Sequence, residues 1–417
     1  MSPQKPGQRG EPRNRREPWV VNTGLAPQCV TEALRSGAFG ACPTLTLPLC
    51  LEFRPEPPFA RSRRPPDRLV SQFLVFVTIL RPQHDRLMPT VLIAPASLRG
   101  KPGPFREILK AAGFDVFIDP KGEDTLLDAE LRDVLPTCDA MVAGGEKISA
   151  SLLDLCPKLR AISRTGVGYD AIDVAACTAR KIAVTITPGT NQESVAEHTF
   201  ALLLALTRSI VSNDVQIKSG GWNRALVAPI RGKTLGIVGM GRIGRAVTTR
   251  ALAFGMRVVA YDPMPDHEFD TRHGVTRLSF RELLAASDIV TLHLPLIPET
   301  QGLINRNTLA MMRPGSILIN TARGGLVVET DLRDSLLSGH LAGAGLDVLN
   351  HEPPEHENPL IGLKNVVVSP HLGGIDTKGM ADMADMAAGC IAGLKEGRWP
   401  AGCVVNVSLK EGWTWNL

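Results

Sequence analysis

The chain predicts two α/β units, each built on a parallel sheet covered by helices, behind a leading segment that lacks this pattern. From residue 88 onward, short runs rich in β-branched residues alternate with stretches of helical periodicity. Strands that are separated by helices form parallel sheets with both faces covered. Eleven such strands are too many for one compact open sheet of this kind, so residues 88–417 are divided between two units.

The predicted strands fall into two groups, one for each unit. The first group lies at residues 90–94, 114–118, 140–143, 160–163 and 183–186. The second group lies at residues 235–238, 258–261, 289–293, 317–320, 342–346 and 366–369. Between the groups, residues 194–208 have a helical pattern that is apolar all round at 201–206, which predicts a buried helix connecting the two units.

Residues 1–87 differ from the rest in composition. They hold 13 of the 32 prolines and carry twelve arginines, one lysine and seven acids, a net charge of +6. No helix or strand period lasts there, so a disordered extension is predicted. Three interpretations compete: a basic arm for an anionic partner, a targeting segment, and translated sequence upstream of a true start at Met88. The apolar stretch of a targeting segment is missing, and the excess of arginine over lysine favours the mis-assigned start.

Composition excludes several classes of protein. With 44% hydrophobic and 21% charged residues, the chain is neither fibrous nor wholly disordered. No apolar run reaches the roughly 18 residues that span a bilayer, so no membrane partner is expected. Residues 88–417 carry 33 basic and 35 acidic side chains, so no nucleic-acid partner is expected for them. The eight cysteines form no C-x-x-C pair, which argues against a zinc or redox site and suggests a reducing, cytoplasmic setting.

A glycine-rich turn follows the first strand of the second unit. Gly239, Gly241 and Gly244 form a G-x-G-x-x-G pattern between a strand and a helix. The first glycine allows the tight turn, the second lets backbone approach a pyrophosphate, and the third lets helix and strand pack closely. The helix N-terminus offers free N–H groups to the phosphates. Asp262, at the end of the next strand, suits the ribose hydroxyls and repels a 2′-phosphate, so a Rossmann domain that binds NAD rather than NADP is predicted.

Four later motifs add reactive side chains to this nucleotide site. Arg323, Asp347, Glu352 and His371 each fall at or just after the carboxyl end of a predicted strand. Ligands of doubly wound sheets bind at that edge. The four side chains are therefore expected to converge beside the nicotinamide end of the cofactor, which favours an enzyme over a nucleotide-binding protein. Histidines without such a context are interpreted as structural, namely His198 and His293.

With these motifs the chain resembles the D-isomer-specific 2-hydroxyacid dehydrogenases, in particular their phosphoglycerate dehydrogenase-like branch. The resemblance runs from about residue 88 to about residue 407 in motif order and spacing, and includes the family stretches that match residues 191–197 and the substrate-carboxylate loop at 164–173. It implies an NAD-binding doubly wound sheet, a flavodoxin-like substrate domain and an active site in the cleft between them. It also implies that Asp347 holds the nicotinamide carboxamide and that the catalytic trio is Arg323, Glu352 and His371.

These residue types suit the interconversion of a 2-hydroxy acid and its 2-keto acid. Histidine exchanges protons near neutral pH, so His371 is the expected acid and base. Glu352 can hold the far ring nitrogen and stabilise the imidazolium. Arg323 offers a planar fork to the substrate carboxylate and the developing carbonyl oxygen. The backbone N–H groups of Val167 and Gly168 are expected to form a second anchor for the carboxylate.

The predicted contacts and domain boundaries follow from this assignment. Cofactor contacts are expected from Gly239, Gly241, Arg242, Ile243, Gly244, Asp262, Thr321, Ala322 and Asp347. Substrate contacts are expected from Gly166, Val167, Gly168 and Arg323. The substrate-binding domain is predicted at residues 88–187 and 372–417 and the NAD-binding domain at 188–371, with no metal. Relatives dimerise through the cofactor domain, so a homodimer is expected.

The resemblance is weakest where the substrate is recognised. Members that bind phosphoglycerate often carry Arg-Ser in the first loop of the substrate domain, whereas this chain has Gly144, Gly145, Glu146 and Lys147 there. Phosphate recognition would then depend on the N–H groups of the two glycines and on the lysine. Hydroxypyruvate, glyoxylate or another small 2-keto acid is an alternative substrate. The motifs are also compatible with a phosphite-type dehydrogenase that has the same trio, and with a non-enzymatic, NAD-sensing protein like the corepressor relatives.

Overall fold

The structure of the protein is a computed structural model that describes residues 89–114, 116–122 and 124–416. The interpretation of residues 1–87 as a disordered extension or a mis-assigned start lies outside the described residues. The described chain belongs to one unit, which contains two parallel sheets. Within it, no single helix has the length and apolar composition needed to cross a membrane; only the consecutive helices Gln192–Thr207 and Ile210–Lys218, taken together across a 58° bend, reach both.

The first sheet has five parallel strands in the order β2-β1-β3-β4-β5. They are β1 Thr90–Ile93, β2 Val116–Ile118, β3 Ala140–Ala143, β4 Ala161–Arg164 and β5 Ala183–Thr185. Val91, Met141 and Ile162 on the inner strands are fully buried, as expected for a sheet covered on both faces. The order confirms the predicted flavodoxin-like arrangement, in which the strand order reverses between β1 and β3.

Four short helices connect these strands. They are α1 Pro104–Ala111, α2 Asp128–Val134, α3 Ala150–Leu153 and α4 Val174–Ala179. Ser149 starts α3 and Asp173 starts α4, because their side-chain oxygens accept N–H groups of the first helical turn. The loops that follow β1, β3 and β4 lie together at the carboxyl edge of this sheet.

The second sheet has seven parallel strands in the order β12-β11-β10-β9-β6-β7-β8. They are β6 Thr234–Val238, β7 Arg257–Tyr261, β8 Thr276–Arg277, β9 Ile289–Leu292, β10 Ser316–Asn320, β11 Leu341–Leu346 and β12 Val366–Val368. The order reverses at β6, which lies between β7 and β9. This is the doubly wound arrangement that binds dinucleotides beside its reversal point, as the glycine pattern predicts.

Seven helices accompany this sheet. They are α5 Gln192–Thr207, α6 Ile210–Lys218, α7 Arg242–Ala253, α8 His267–His273, α9 Phe280–Ala286, α10 Arg306–Leu309 and α11 Glu329–Leu337. Helix α5 packs against α7 and against β10, β11 and β12. The rings of Phe200 on α5 and Phe254 after α7 stack with their centroids 5.2 Å apart.

After the second sheet the chain returns to the first one. Helix α12, Thr377–Lys395, packs against α1, β3 and β4, and its Met383 and Ala387 share a buried cluster with Val91 and Phe105. The tail then runs beside β5, where Val184 N–H donates to Asn406 Oδ1 at 2.9 Å. Residues from both ends of the described chain therefore build the first sheet and its cover.

The structure corrects three details of the predicted elements. Strand β8 was missed because it has only two residues at the sheet edge, too few for a period. Helix α6 was also missed; none of its side chains is buried, so its apolar residues form no stripe that faces the core. The expectation that residues 201–206 are buried throughout is wrong: Leu202 and Leu203 are buried, but Ala201 is exposed.

Candidate active site

The glycine-rich turn joins β6 to α7 at the point where the strand order reverses. Gly239 has φ = 101°, and a Cβ there would lie 2.4 Å from the carbonyl oxygen of His293. A Cβ on Gly244 would lie 2.2 Å from the carbonyl oxygen of Gly239, whereas one on Gly241 would meet no atom within 4 Å. Close backbone contacts therefore require the first and third glycines, and Gly241 leaves the outer surface of the turn uncovered.

Asp262 follows β7 and lies next to this turn. Its carboxylate accepts the N–H groups of Met240 and Met264, each at 2.7 Å. No side chain of the described residues caps the N-terminus of α7, so the N–H groups near Arg242 and Ile243 are free to meet phosphate oxygens. An uncovered turn, an uncapped helix and an acid at the end of the next strand fit the phosphates and ribose of a dinucleotide.

Asn320 holds a tight turn at the end of β10. Its side chain accepts the N–H of Ala322 at 3.0 Å and donates to the carbonyl oxygen of Arg323 at 2.8 Å. Thr321, inside the turn, is buried and lies 3.1 Å, hydroxyl to hydroxyl, from Thr199 on α5. These bonds fix the point from which the Arg323 side chain leaves the sheet edge.

The Arg323 side chain reaches the loop at residues 166–168, which follows β4 of the first sheet. Its Nε donates to Asp170 Oδ1 at 2.8 Å, and its Nη2 lies so close to Gly168 that a Cβ there would be 1.2 Å away. Burial alone would raise the pKa of Asp170, but the Arg323 guanidinium outweighs it and the pKa is lowered. The contact requires glycine at position 168 and sets a guanidinium beside the loop backbone.

The N–H groups of this loop divide into used and unused donors. Gly166 donates to Thr187 Oγ1 at 2.8 Å, so its N–H is occupied. The N–H groups of Val167 and Gly168 have no acceptor within the described chain. The two donors named for the second carboxylate anchor are therefore the two that the loop leaves open.

His371 and Glu352 form a hydrogen-bonded pair. His371 Nδ1 lies 2.7 Å from Glu352 Oε2, and the other oxygen of Glu352 accepts the N–H of Leu349 at 3.0 Å. The imidazole consequently turns Nε2 away from the carboxylate, and 40% of the side chain is exposed. His371 has φ = 55°, a left-handed conformation that is uncommon outside glycine and concentrates at functional sites.

Asp347 holds the loop that presents His371. It is 1% exposed and accepts the Leu372 N–H at 2.8 Å, the Gly373 N–H at 2.7 Å and the Ser369 hydroxyl at 2.6 Å. Burial alone would raise the pKa of Asp347, but its hydrogen bonds prevail and lower it. A left-handed backbone at His371 persists because this carboxylate ties the loop on both sides.

The two histidines interpreted as structural have different surroundings. His198 on α5 has its Nε2 2.7 Å from Ser369 Oγ, so it extends the network behind His371. His293, after β9, has its Nε2 3.0 Å from Thr291 Oγ1, and burial lowers its pKa to about 3. The His293 ring is therefore neutral at pH 7 and lies outside that network, whereas His198 belongs to it.

The loop after β3 differs from expectation. The Gly144 N–H donates to Glu146 Oε2 at 2.5 Å. Of the two glycine N–H groups that could meet a substrate phosphate, that of Gly144 is therefore already occupied by the side chain two residues further on. Gly145 and Lys147 in the same loop are exposed.

Strand register explains why residues far apart in sequence meet. Asn320, Leu346 and Val368 are aligned across three adjacent strands, and Arg323, Asp347 and His371 leave the sheet just beyond them. Sequence reasoning missed three residues that hold this arrangement: Asn320, Asp170 and Ser369. Each lies within four residues of a predicted one, at a strand end or in a quoted motif, which is the signal that could have identified them.

Comparison with known proteins defines the class to which this fold and site belong. Residues 200–373 match the family model described as D-isomer specific 2-hydroxyacid dehydrogenase, NAD binding domain. The chain is 41% identical over 274 residues to a glyoxylate reductase of Korarchaeum cryptofilum, covering 64% of this chain and 82% of the relative. The chain belongs to the D-isomer specific 2-hydroxyacid dehydrogenase family, which confirms the resemblance and the predicted NAD-binding domain.

Other relatives differ in length. The chain is 44% identical over 247 residues to the D-3-phosphoglycerate dehydrogenase of Mycobacterium leprae, covering 58% of this chain and 47% of that protein. It therefore spans about half the length of such relatives. Among solved structures, D-lactate dehydrogenase from Aquifex aeolicus, complexed with NAD and lactic acid, is 28% identical with a TM-score of 0.66, covering 76% of this chain and 98% of that one.

Proposed function

We propose that the protein is an NAD-dependent D-2-hydroxyacid dehydrogenase that interconverts a D-2-hydroxy acid and its 2-keto acid. The observation that carries the proposal is where the charged side chains leave the sheet edges. Arg323 leaves the edge of the second sheet after β10 and lies against Gly168 of the first, while the paired Glu352 and His371 follow the next two strands, β11 and β12, at the same edge. A guanidinium, two free N–H groups and an imidazole suit a 2-keto carboxylate.

The substrate carboxylate is held from two sides in this proposal. The free N–H groups of Val167 and Gly168 bind one oxygen, and Arg323 binds the carboxylate and the neighbouring carbonyl oxygen. Asp170 keeps the guanidinium in place through its 2.8 Å hydrogen bond to Nε. Fixing the carboxylate aligns the reacting carbon with His371.

His371 moves the proton. When a 2-hydroxy acid is oxidised, Nε2 takes the hydroxyl proton; when a 2-keto acid is reduced, it returns that proton to the carbonyl oxygen. Glu352 on Nδ1 fixes the tautomer and stabilises the imidazolium. Both steps need the ring orientation that Asp347 secures through the loop backbone.

The cofactor residues are proposed on the fit of the glycine turn. Gly239, Gly241 and Gly244 with the start of α7 would hold the phosphates, and Asp262 the adenosine ribose. The remaining contacts are those predicted at the sheet edge, namely Arg242, Ile243, Thr321, Ala322 and Asp347. Bound NAD supplies the hydride acceptor, and its reduced form the donor.

The experiment measures oxidation of NADH and of NADPH with a panel of 2-keto acids: hydroxypyruvate, its 3-phosphate ester, glyoxylate and pyruvate. We expect turnover with at least one acid, NADH preferred, and a kcat lowered by roughly 10²–10⁴-fold in His371→Ala. The control is His267→Ala, an exposed histidine at the start of α8, which should match the wild type. Equal, negligible rates for wild type and His371→Ala would instead support a non-enzymatic, NAD-sensing role.

The assembly is proposed to be a homodimer formed through the cofactor unit. Helix α6 buries none of its side chains and exposes Ile210, Val211 and Val215, and the loop after it exposes Trp222 and Leu226. An apolar surface of this kind marks an interface, and a second copy is its proposed occupant. Light scattering should give twice the mass of one chain for the wild type and one chain for Val215→Glu; a monomeric wild type would refute the dimer.

The domain roles and the compartment complete the proposal. Residues 88–187 and 372–417 are assigned to substrate binding and 188–371 to NAD binding, supported by the packing of α12 on β3 and β4. A cytoplasmic location is supported by the five free cysteines of the described chain, which suit a reducing compartment.

A further inference from the structure

Glu146 is a buried acid at the carboxyl edge of the first sheet that the proposed reaction does not use. It is 2% exposed, and its Oε2 accepts the Gly144 N–H at 2.5 Å. A free backbone N–H beyond the carboxyl end of a parallel strand is a donor suited to an anionic ligand. In this loop the chain's own carboxylate takes that donor.

Two arginines accompany this carboxylate. Arg99 is 9% exposed; its Nε donates to the Ala94 carbonyl at 2.8 Å, and its buried Nη2 has no hydrogen-bond partner in the described chain. Arg164 donates from Nε to the Gly144 carbonyl at 3.3 Å. Burial raises the pKa of Glu146 and outweighs the Gly144 N–H and the two guanidinium groups, which favour its charged form. An acid in such a place compensates cations that would otherwise be left buried and unpaired.

Arg164 connects this group to the substrate loop. Its Nη1 lies so close to Gly166 that a Cβ there would be 1.6 Å away, and burial together with the charge of Arg323 lowers the pKa of Arg164 to about 10. Arg323 thus contacts the loop at Gly168 and Arg164 contacts it at Gly166. Arg164 therefore bridges the substrate loop and the loop of Glu146, since it contacts Gly166 and donates to the Gly144 carbonyl.

We propose, as an extension that rests on the dehydrogenase function above, that Glu146 is a specificity-determining residue that selects 2-keto acids with one negative charge. The Glu146 carboxylate accepts the Gly144 N–H and lies near Arg99 and Arg164. It therefore occupies the donor that a second anionic group of the substrate would use. A 2-keto acid with a phosphate ester or a second carboxylate at its far end is rejected by that charge.

The formal charges favour the same conclusion. The pair of Glu352 and protonated His371 adds no net charge during reduction. Arg99, Arg164 and Arg323 against Glu146 and Asp170 leave one net positive charge, which a single substrate carboxylate neutralises; the exposed Lys147 of the same loop lies outside this count. A phosphate ester would add about −1.5 to −2 more. Like charges brought together in a desolvated site are strongly unfavourable, and this discriminates between substrates.

The test compares hydroxypyruvate with its 3-phosphate ester, which share the reacting group and differ in the far end. The values of kcat/KM are measured for the wild type and Glu146→Gln, which keeps an acceptor for the Gly144 N–H but removes the charge. The matched control is Glu107→Gln, which removes the same charge from an exposed position on α1. Glu146→Asp keeps the charge but shortens the side chain, so it distinguishes an effect of the charge from an effect of the side-chain shape.

We expect the wild type to prefer hydroxypyruvate by roughly 10²-fold, and Glu146→Gln to narrow that ratio about tenfold or more through a lower KM for the ester. Glu146→Asp and Glu107→Gln should keep the wild-type ratio within about threefold. A wild type that uses the ester as well as the free acid overturns the proposal, and this result needs no variant to fold. A Glu146→Gln ratio equal to that of the wild type overturns it equally.

A binding measurement separates this proposal from the dehydrogenase function. D-Glycerate and its 3-phosphate are titrated by calorimetry into the wild-type protein and Glu146→Gln, each with NADH bound, where no turnover is needed. If no keto acid is reduced but Glu146→Gln strengthens binding of the 3-phosphate relative to D-glycerate, the dehydrogenase proposal fails and the selection by Glu146 stands. If the ratio of the two affinities is the same in both proteins, the selection by Glu146 is refuted whatever the activity.

Discussion

The carboxyl edges of the two sheets are built differently. At the edge of the second sheet, the turn after β6 depends on backbone contacts that admit no side chain at Gly239 or Gly244. At the edge of the first sheet, the loop after β3 depends on a buried carboxylate that accepts a backbone N–H and has two arginines nearby. A close approach between backbone atoms admits only glycine, so it leaves a recognisable motif, whereas buried charges can be balanced by many combinations of residues. The edge of the second sheet therefore suits one fixed ligand, the cofactor, and the edge of the first suits a substrate that can differ between proteins.

The largest effect is expected where the two edges meet. Arg323→Ala removes the guanidinium that lies against Gly168 and bonds to Asp170, so we expect kcat/KM for the preferred 2-keto acid to fall roughly 10³-fold or more. Arg323→Lys keeps the charge but not the planar fork and should recover only part of that loss. Steady-state kinetics with Arg333→Ala on α11, a half-buried arginine paired with Asp334 and not with the proposed site, provides the control. Full activity in Arg323→Ala would show that the reaction does not need the contact that Arg323 makes between the two edges.

A smaller effect on activity is expected at Asp347, which holds the loop that carries His371. Asp347→Asn places an amide N–H₂ against N–H groups of the loop, which leaves buried donors unsatisfied. We expect a loss of about 1–3 kcal/mol in the free energy of unfolding at pH 7 and a kcat lowered roughly tenfold, because the loop holds His371 in a left-handed conformation. Denaturant titration and steady-state kinetics measure the two losses.

The pH dependence of this variant has a definite sign. The pKa of Asp347 is lower in the folded protein than its ordinary value, so its carboxylate stabilises the fold above the unfolded pKa of about 3.9. That stabilisation is lost as the pH falls through the folded pKa. The difference in unfolding free energy between wild type and Asp347→Asn should therefore be full near pH 7 and shrink below about pH 4. A difference that grows in acid would contradict the assignment of charge to Asp347.

The smallest effect is expected at the cofactor end. Asp262→Ser removes the carboxylate that lies beside the glycine turn and would repel a 2′-phosphate. We expect the preference for NADH over NADPH, measured as the ratio of kcat/KM values, to fall about tenfold. Asp382→Ser removes a half-buried acid on α12 that is paired with Lys378, and it should leave the ratio as it is in the wild type. An unchanged ratio in Asp262→Ser would show that Asp262 does not determine the preference for NADH over NADPH.

The fold class could be predicted because its determinants are local. Alternating strands and helices identify parallel sheets, and eleven of the twelve strands were predicted, most of them from short runs rich in β-branched residues. Strand β8 escapes because two residues carry no period, and α6 because its exposed apolar residues form no stripe that faces the core. The order of pairing does not follow from these local runs, because long-range contacts set it; the family resemblance implied it.

The site could be predicted in part for the same reason. Arg323 and His371 lie in motifs at strand ends, and strand register then brings them to one edge. The partners that hold them, Asp170 and Ser369, come from other elements, so no local pattern reveals the pairing. Glu146 is the clearest example: sequence alone left the Gly144 N–H free, and only the folded loop brings the carboxylate onto it.

A crystal structure with NADH and oxamate, a stable analogue of a 2-keto acid, would show whether Arg323, the loop at 166–168 and His371 act on the same substrate. We expect the oxamate carboxylate on the N–H groups of Val167 and Gly168 and on Arg323, with the carbonyl oxygen within roughly 2.6–3.2 Å of His371 Nε2. Oxamate bound elsewhere, or held by Arg323 with His371 turned away from its carbonyl oxygen, would contradict the account.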